Sequence, residues 1–316
     1  MDFFKRLHPV LREEVNRFPE KHYFDMHLFE NEPWKLQEQR LAFIENNPTP
    51  IPEGIIIEDI FIESSIDKYP IRLHVYKKKN STSKKVVIYY HGGGYMYGLP
   101  EQADEFLFKL VEETGITIVA PCYRLAPQHQ FPIPIQDGYD AYEWLLNNGE
   151  QKLNIDTKNT GILGASAGGH LAAAVSQKAV DNDLNHISLL FLLYPVVTNF
   201  TTSESMSEFV DIPFWNKTYA DIAWQHLLGK DNVNKSVRYA DLFNFDKFDE
   251  LPRTIIITCE LDPLRDEGMA YAQLLMKAKV NTELWNIPGT MHVFDRYKNP
   301  LADEYYDFAA KRLSDF

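Results

Sequence analysis

The chain has 316 residues, 45% of them apolar and 24% charged, proportions that exclude a disordered or fibrous chain. With 32 basic against 45 acidic side chains the formal charge is -13, which argues against a nucleic-acid groove or an anionic membrane surface as the main partner and mildly disfavours an anionic substrate. Two cysteines, Cys122 and Cys259, each end an apolar, β-rich run and exclude a disulfide framework.

The start, MDFFKRLHPVLREEV, lacks the basic flank, apolar run and cleavage site of a signal peptide, and no apolar stretch is long enough to span a membrane. A cytoplasmic protein without stable membrane association is therefore expected. Residues 1–50 carry helical periodicity and many aromatics (Phe3, Phe4, Phe18, Tyr23, Phe24, Phe29, Trp34) and stop at the breaker run Asn46-Asn47-Pro48-Thr49-Pro50-Ile51-Pro52. They read as an appended N-terminal arm.

From Gly54 the pattern changes to short β-branched runs. IIIEDIFIE and IRLHVYK are close enough in sequence to pair antiparallel. VVIYY (86–90), ITIVAPCY (116–123), GILGA (161–165), ISLLFLLYP (187–195), RTIIITCE (253–260) and TELWNI (282–287) follow, each nearly continuous in apolar residues. Strands apolar on both faces and separated by helical segments belong to a parallel sheet covered on both sides. Helical periodicity falls at 101–113, 136–148, 167–181, 266–279 and 301–313. The expectation is one α/β domain with an eight-stranded, mostly parallel sheet, built from residues 51–197 and 251–316. Residues 198–250 break the alternation and read as a helical insertion between the sixth and seventh strands.

Gly164-Ala165-Ser166-Ala167-Gly168 joins the strand GILGA to a helical segment, the context of a nucleophile elbow. Glycines two residues either side of the serine permit a tight strand-to-helix turn that lifts Oγ above the sheet, beside a helix N-terminus. A Gly-x-Ser-x-Gly pattern alone arises by chance on the order of one time in ten in a chain this long, so its setting matters more than its letters. A glycine-rich packing turn is the plainer alternative. His91-Gly92-Gly93-Gly94, directly after VVIYY, is the second signal. Bare glycines leave backbone N–H groups free to point inward, and with the N–H of Ala167 they suit an oxyanion hole, where each donor typically contributes ~3 kcal/mol of transition-state stabilisation. No Lys-Ser/Thr follows, as a phosphate-cradling loop requires. His91 itself suits a loop organiser better than a base.

A serine of this kind is followed along the chain by Asp or Glu and then His. Asp262 lies just past the seventh strand and His292 just past the eighth, both at strand C-terminal ends, where ligand-facing loops gather. His292 would take the Ser166 proton while Asp262 fixes its tautomer. Asp266 stays as an alternative carboxylate, although at a helix start it suits an N-cap or dipole partner. Glu260 should point away by strand alternation. His170 and His226 fit packing or solvent exposure, and the histidines lack zinc-site spacing, so no metal is expected.

These motifs, together with Tyr123-Arg124-Leu125-Ala126-Pro127-Gln128-His129-Gln130-Phe131-Pro132, Asp137, Asp262-Pro263-Leu264-Arg265-Asp266 and His292-Val293-Phe294, resemble the hormone-sensitive-lipase-like branch of the α/β-hydrolases, the bacterial esterases with an HGGG motif. The likeness runs from about Val86 to the C-terminus. It implies Ser166, Asp262 and His292 as a triad, an oxyanion hole from Gly93, Gly94 and Ala167, and a cap made of the N-terminal arm and the insertion at 198–250. Two positions depart from the family pattern: Ala165 stands where Asp is usual and Gln128 where Glu is usual. The YRLAP stretch fits a structural brace for the elbow.

The function expected is a serine carboxylesterase acting on short-chain carboxylic esters, with a small-molecule substrate, no cofactor and room for a homo-oligomer. The same chemistry would serve an aryl-formamide hydrolase, and a non-catalytic ligand receptor on this fold is a third reading.

Overall fold

The computed structural model describes residues 3–17 and 25–316. Phe18, Tyr23 and Phe24 of the aromatic arm lie outside the described residues. Eight strands form one sheet: β1 (Ile55–Glu63), β2 (Pro70–Lys78), β3 (Val86–Tyr90), β4 (Thr117–Pro121), β5 (Thr160–Ala165), β6 (Ile187–Leu193), β7 (Arg253–Leu261) and β8 (Thr282–Met291). Their order is β1-β2-β4-β3-β5-β6-β7-β8. Strand β2 is antiparallel to β1 and to β4, and every other pairing is parallel. This is the α/β-hydrolase architecture that the resemblance implies.

The helices are α1 (Phe3–Arg6), α2 (Pro9–Arg17), α3 (Met26–Asn31), α4 (Pro33–Asn46), α5 (Asp104–Thr114), α6 (Ile133–Leu153), α7 (Ala167–Asp181), α8 (Glu204–Glu208), α9 (Lys217–Leu228), α10 (Arg265–Lys277) and α11 (Pro300–Ser314). Successive strand residues divide between two apolar clusters. Ile88, Ile162, Leu190 and Ile256 pack with α6, α7 and α10 residues such as Leu145, Leu171 and Leu275. Their neighbours Val87, Leu163, Leu189 and Ile255 pack with Leu107 and Leu110 of α5 and Leu313 of α11. The alternation of side chains along a strand therefore fills a core on each face, which is why the runs read as continuously apolar.

One expectation needs correction. Strand β8 does not stop at Ile287 but continues through Pro288 and Gly289 to Met291. A shift in register between Cys259 and Leu261 lets Leu261 pair with Met291, and β8 is an edge strand, where proline is tolerated. Within 198–250 only α8 and α9 are α-helical. Pro213 and Gly229 bracket the second: Asn216 caps α9 by accepting from the Tyr219 N–H at 3.1 Å, and Gly229 follows its last turn. The remainder is irregular, apart from a 3₁₀ turn at Phe248–Glu250 and an isolated bridge between Arg238 and Asp241.

The arm and this segment pack on each other above the C-terminal ends of the strands. Phe29 of α3 is fully buried and meets Tyr219 edge-on at 5.1 Å and Trp215 at 6.3 Å. His226 Nε2 contacts the Glu30 carbonyl at 3.0 Å. These contacts lie in a helical cap over the strand ends.

Within the YRLAP stretch, Tyr123 donates its hydroxyl to the His91 carbonyl at 2.6 Å beside the serine turn, and Arg124 braces a different region. Arg124 makes a two-pronged contact to Asp137 of α6, with Nε and Nη2 each at 2.8 Å, and reaches Asp67 and Ser64 in the β1–β2 turn at 2.6 and 2.9 Å. It ties that turn to α6 and makes no contact with the serine turn. The Asp137 side chain is 0% exposed and that of Arg124 3%, so removing the carboxylate strands a buried cation. Asp137→Ala is expected to lower the unfolding free energy by about 3–5 kcal/mol, read from urea denaturation. Asp67→Ala, at the solvent-exposed end, should cost far less, and equal losses would contradict this assignment.

Candidate active site

Ser166 stands between β5 and α7 with φ 59° and ψ -122°, a conformation that a residue bearing Cβ rarely adopts. Its backbone is held on both sides. The N–H donates to the Leu193 carbonyl at 2.9 Å, and the C=O accepts from His170 N at 3.1 Å and Val196 N at 3.2 Å. The flanking glycines explain why the turn can be so tight. A Cβ on Gly164 would overlap the Gly168 carbonyl, and one on Gly168 would overlap the carbonyls of Tyr90 and His91. Strands β3 and β5 and helix α7 thus meet backbone to backbone.

Ser166, His292 and Asp262 are brought into one hydrogen-bonded line. Ser166 Oγ is 2.9 Å from His292 Nε2, and His292 Nδ1 is 2.7 Å from Asp262 Oδ2. The second carboxylate oxygen accepts from Leu264 N at 2.9 Å. Exposures of 6%, 3% and 0% for Ser166, His292 and Asp262 leave the line almost dry. A carboxylate accepts only, so Nδ1 carries the proton and the Nε2 lone pair faces the hydroxyl. The arrangement can take a proton from Oγ and stabilise the resulting imidazolium.

Asp266 is not brought to this line. It lies in the first turn of α10, whose N-cap is Leu264, and accepts from Ser205 N at 2.7 Å and Arg265 Nε at 2.8 Å. Glu260 turns to the Gly289 N–H at 2.8 Å and to Arg6 at 3.1 Å. Tyr194, unforeseen from the sequence, packs its ring 4.5 Å from that of His292 and donates its hydroxyl to Asp295 at 2.6 Å. Its position one residue past β6 at the same sheet edge was the available signal.

The loop after β3 needs its glycines. Gly93 and Gly94 have φ of 129° and 61°. A Cβ on Gly93 would overlap the Tyr97 carbonyl, and one on Gly94 the Trp215 indole. Among the described residues, no acceptor engages the N–H groups of Gly93, Gly94 and Ala167. His91 stacks on Tyr123 at 4.2 Å and bonds to the Gly92 carbonyl at 2.9 Å. Burial pushes its pKa down to about 4, so at neutral pH it is an uncharged organiser of its own loop.

A cleft of about 670 Å³ opens onto Ser166 and His292, walled by Phe43 of the arm, Tyr97, Phe214, Trp215 and Arg296. Behind Trp215 lies a second cavity of only about 20 Å³, lined by Gly94, Ala167, Ala220, Ala223, Trp224 and Leu227. Asp104, on the cleft wall, has its carboxyl pKa pushed up to about 6 by burial, an effect opposed by the Tyr76 hydroxyl at 2.8 Å. Of the two departures from the family pattern, Ala165 lines the cleft beside Ser166. Gln128 pairs with Gln37 of α4, donating at 2.7 Å and accepting at 3.2 Å, a two-way exchange that a carboxylate could not complete.

Residues 87–296 match a family profile described as alpha/beta hydrolase fold. An ethyl acetate hydrolase of Pseudomonas putida is 30% identical over 204 residues, which span 64% of each chain, so just under two thirds of that relative is covered. An arylesterase of Saccharolobus solfataricus is 28% identical over 277 residues, covering 86% of this chain and 88% of that one. Among solved structures, a bacterial heroin esterase superposes with a TM-score of 0.90 at 28% identity, covering 99% and 98% of the two chains.

The backbone contact around the serine turn carries a direct test. Gly168→Ala is expected to lose about 1–3 kcal/mol or more of stability through overpacking against β3, seen as a lowered Tm. A variant with the parent Tm would contradict the claim that this space excludes a Cβ.

Proposed function

The chain belongs to the α/β-hydrolase fold family, and on that premise we propose that it is a serine carboxylesterase of the hormone-sensitive-lipase-like branch, acting on short-chain carboxylic esters. The observation that carries this reading is the buried Ser166–His292–Asp262 line, with hydrogen bonds of 2.9 and 2.7 Å. Ser166 Oγ attacks the ester carbonyl while His292 Nε2 takes its proton, and Asp262 stabilises the imidazolium. The carbonyl oxygen, now an oxyanion, accepts from the free N–H groups of Gly93, Gly94 and Ala167. His292 returns the proton to the departing alkoxide, leaving an acyl-serine. Water activated by His292 then attacks the acyl carbon, and the carboxylic acid leaves.

Trp215, set against Gly94 and 6.0 Å from the His292 ring, narrows the cleft beside Ser166, which favours short acyl groups. The names of the two relatives, an ethyl acetate hydrolase and an arylesterase, support ester substrates. We assign residues 51–197 and 251–316 to the catalytic core and residues 1–50 and 198–250 to the cap. The two free cysteines, one of them buried, suit a reducing compartment, and cytoplasmic residence accompanies the reading. Among the described residues no helix is long and apolar enough to cross a membrane.

Ser166→Ala is expected to cut turnover of p-nitrophenyl butyrate about 10⁴-fold or more and to abolish labelling by a fluorophosphonate. Asp262→Asn should lower kcat by about 10⁴, because the imidazole then sits in the wrong tautomer, while Asp266→Asn stays within a few-fold of the parent. Turnover should fall from acetate and butyrate to octanoate esters. Unchanged turnover in Ser166→Ala would overturn the serine mechanism, and an intact protein that neither labels nor turns over would overturn the reading and favour a ligand receptor.

A further inference from the structure

Tyr95 is the third consecutive residue of positive φ after β3: Gly93 at 129°, Gly94 at 61° and Tyr95 itself at 61°. The first two positions are free to adopt this conformation as glycines. Tyr95 is not, so its surroundings must hold it there. It is 3% exposed, and its carbonyl accepts from Ala126 N at 2.8 Å. Its hydroxyl lies 2.7 Å from His170 Nδ1, with the two rings edge to face at 5.7 Å.

His170 is fully buried on α7, one helical turn beyond Ser166, whose carbonyl its own N–H meets at 3.1 Å. Its Nε2 is 3.0 Å from the Ala240 carbonyl in the cap segment. A carbonyl can only accept, so Nε2 carries the proton and Nδ1 offers a lone pair to the Tyr95 hydroxyl. Donation from the Tyr95 hydroxyl to Nδ1 requires the neutral ring, and burial favours it by pushing the pKa down to about 4. Trp224 of α9 closes the pocket edge-on at 5.4 Å. The imidazole is thus neither loosely packed nor solvent-facing: it joins the serine helix, the glycine loop and the cap.

We propose that His170, acting through the Tyr95 hydroxyl, is a positioning residue that holds the Gly93 and Gly94 amides in register with the Ala167 amide across the oxyanion site. The two sets of donors come from different elements, the loop after β3 and the first residue of α7. No covalent connection fixes their separation. The Tyr95–His170 bond spans that gap directly, since His170 belongs to the same first turn of α7 as Ala167. His170 touches neither substrate nor the reacting atoms.

This proposal rests on the serine esterase reading and is tested apart from it. Tyr95→Phe deletes one oxygen and keeps the ring. It is expected to lower kcat for p-nitrophenyl acetate about tenfold or more, with KM within about twofold, because the lost register matters only once the oxyanion forms. The rate of phosphonylation by a fluorophosphonate, whose phosphoryl oxygen uses the same amides, should fall in parallel. His170→Phe should have a similar effect, and the double variant should be no worse than either single one. If Tyr95→Phe folds and retains kcat and the phosphonylation rate of the parent, with only its Tm lowered, the strut is structural and the proposal is overturned. A parent protein that neither turns over the ester nor reacts with the fluorophosphonate overturns the esterase reading and this inference with it.

Discussion

The approach of α7 to β3 and β5 at backbone distance is the constraint on which the rest of the site depends. Gly168 lies where any Cβ would strike the Tyr90 carbonyl, and Gly164 where one would strike Gly168. That closeness forces the chain from strand to helix in a single residue, Ser166, at a φ of 59°. The strain at the serine is sustained by three backbone hydrogen bonds to Leu193, Val196 and His170. From one turn follow the elevation of Oγ, the free amide of Ala167 and the placement of His170 four residues on.

Sheet topology supplies the partners. Because β7 and β8 are neighbours and parallel, the residues just beyond them emerge side by side at the edge where β5 delivers the serine. Asp262 and His292 are 30 residues apart in sequence and 2.7 Å apart in space. Cores on both faces of the sheet make that edge a rigid platform, since each strand is fixed by packing above and below. The cap completes the enclosure: Trp215 sits over Gly94 and near His292, and Phe29 from the arm holds it from behind. Water exclusion strengthens every charge interaction in the line below.

The strands were legible because burial on both faces writes a continuous apolar run, and Gly-x-Ser-x-Gly and His-Gly-Gly-Gly were legible because backbone contact admits only glycine. Where the reading failed, non-local pairing overrode local chemistry. Pro288 and Gly289 carry the letters of a turn, yet they lie within β8 because a register shift opposite Cys259 and Leu261 draws Met291 into the ladder. Tyr95 gives no local sign of its positive φ, and His170 no sign of its partners. Both are set by contacts between segments separated by 70 residues or more. The same holds for Trp215, whose position depends on an arm nearly two hundred residues earlier in the chain.

The central claim is that Ser166 forms a covalent acyl intermediate. Rapid acid quenching of the enzyme during turnover of p-nitrophenyl acetate, followed by mass spectrometry of the intact protein and its peptides, tests it most directly. The account predicts one added acetyl group, confined to the peptide bearing Ser166 and lost on further incubation in water. Turnover without a modified protein, or acetylation at another residue in its place, would contradict it.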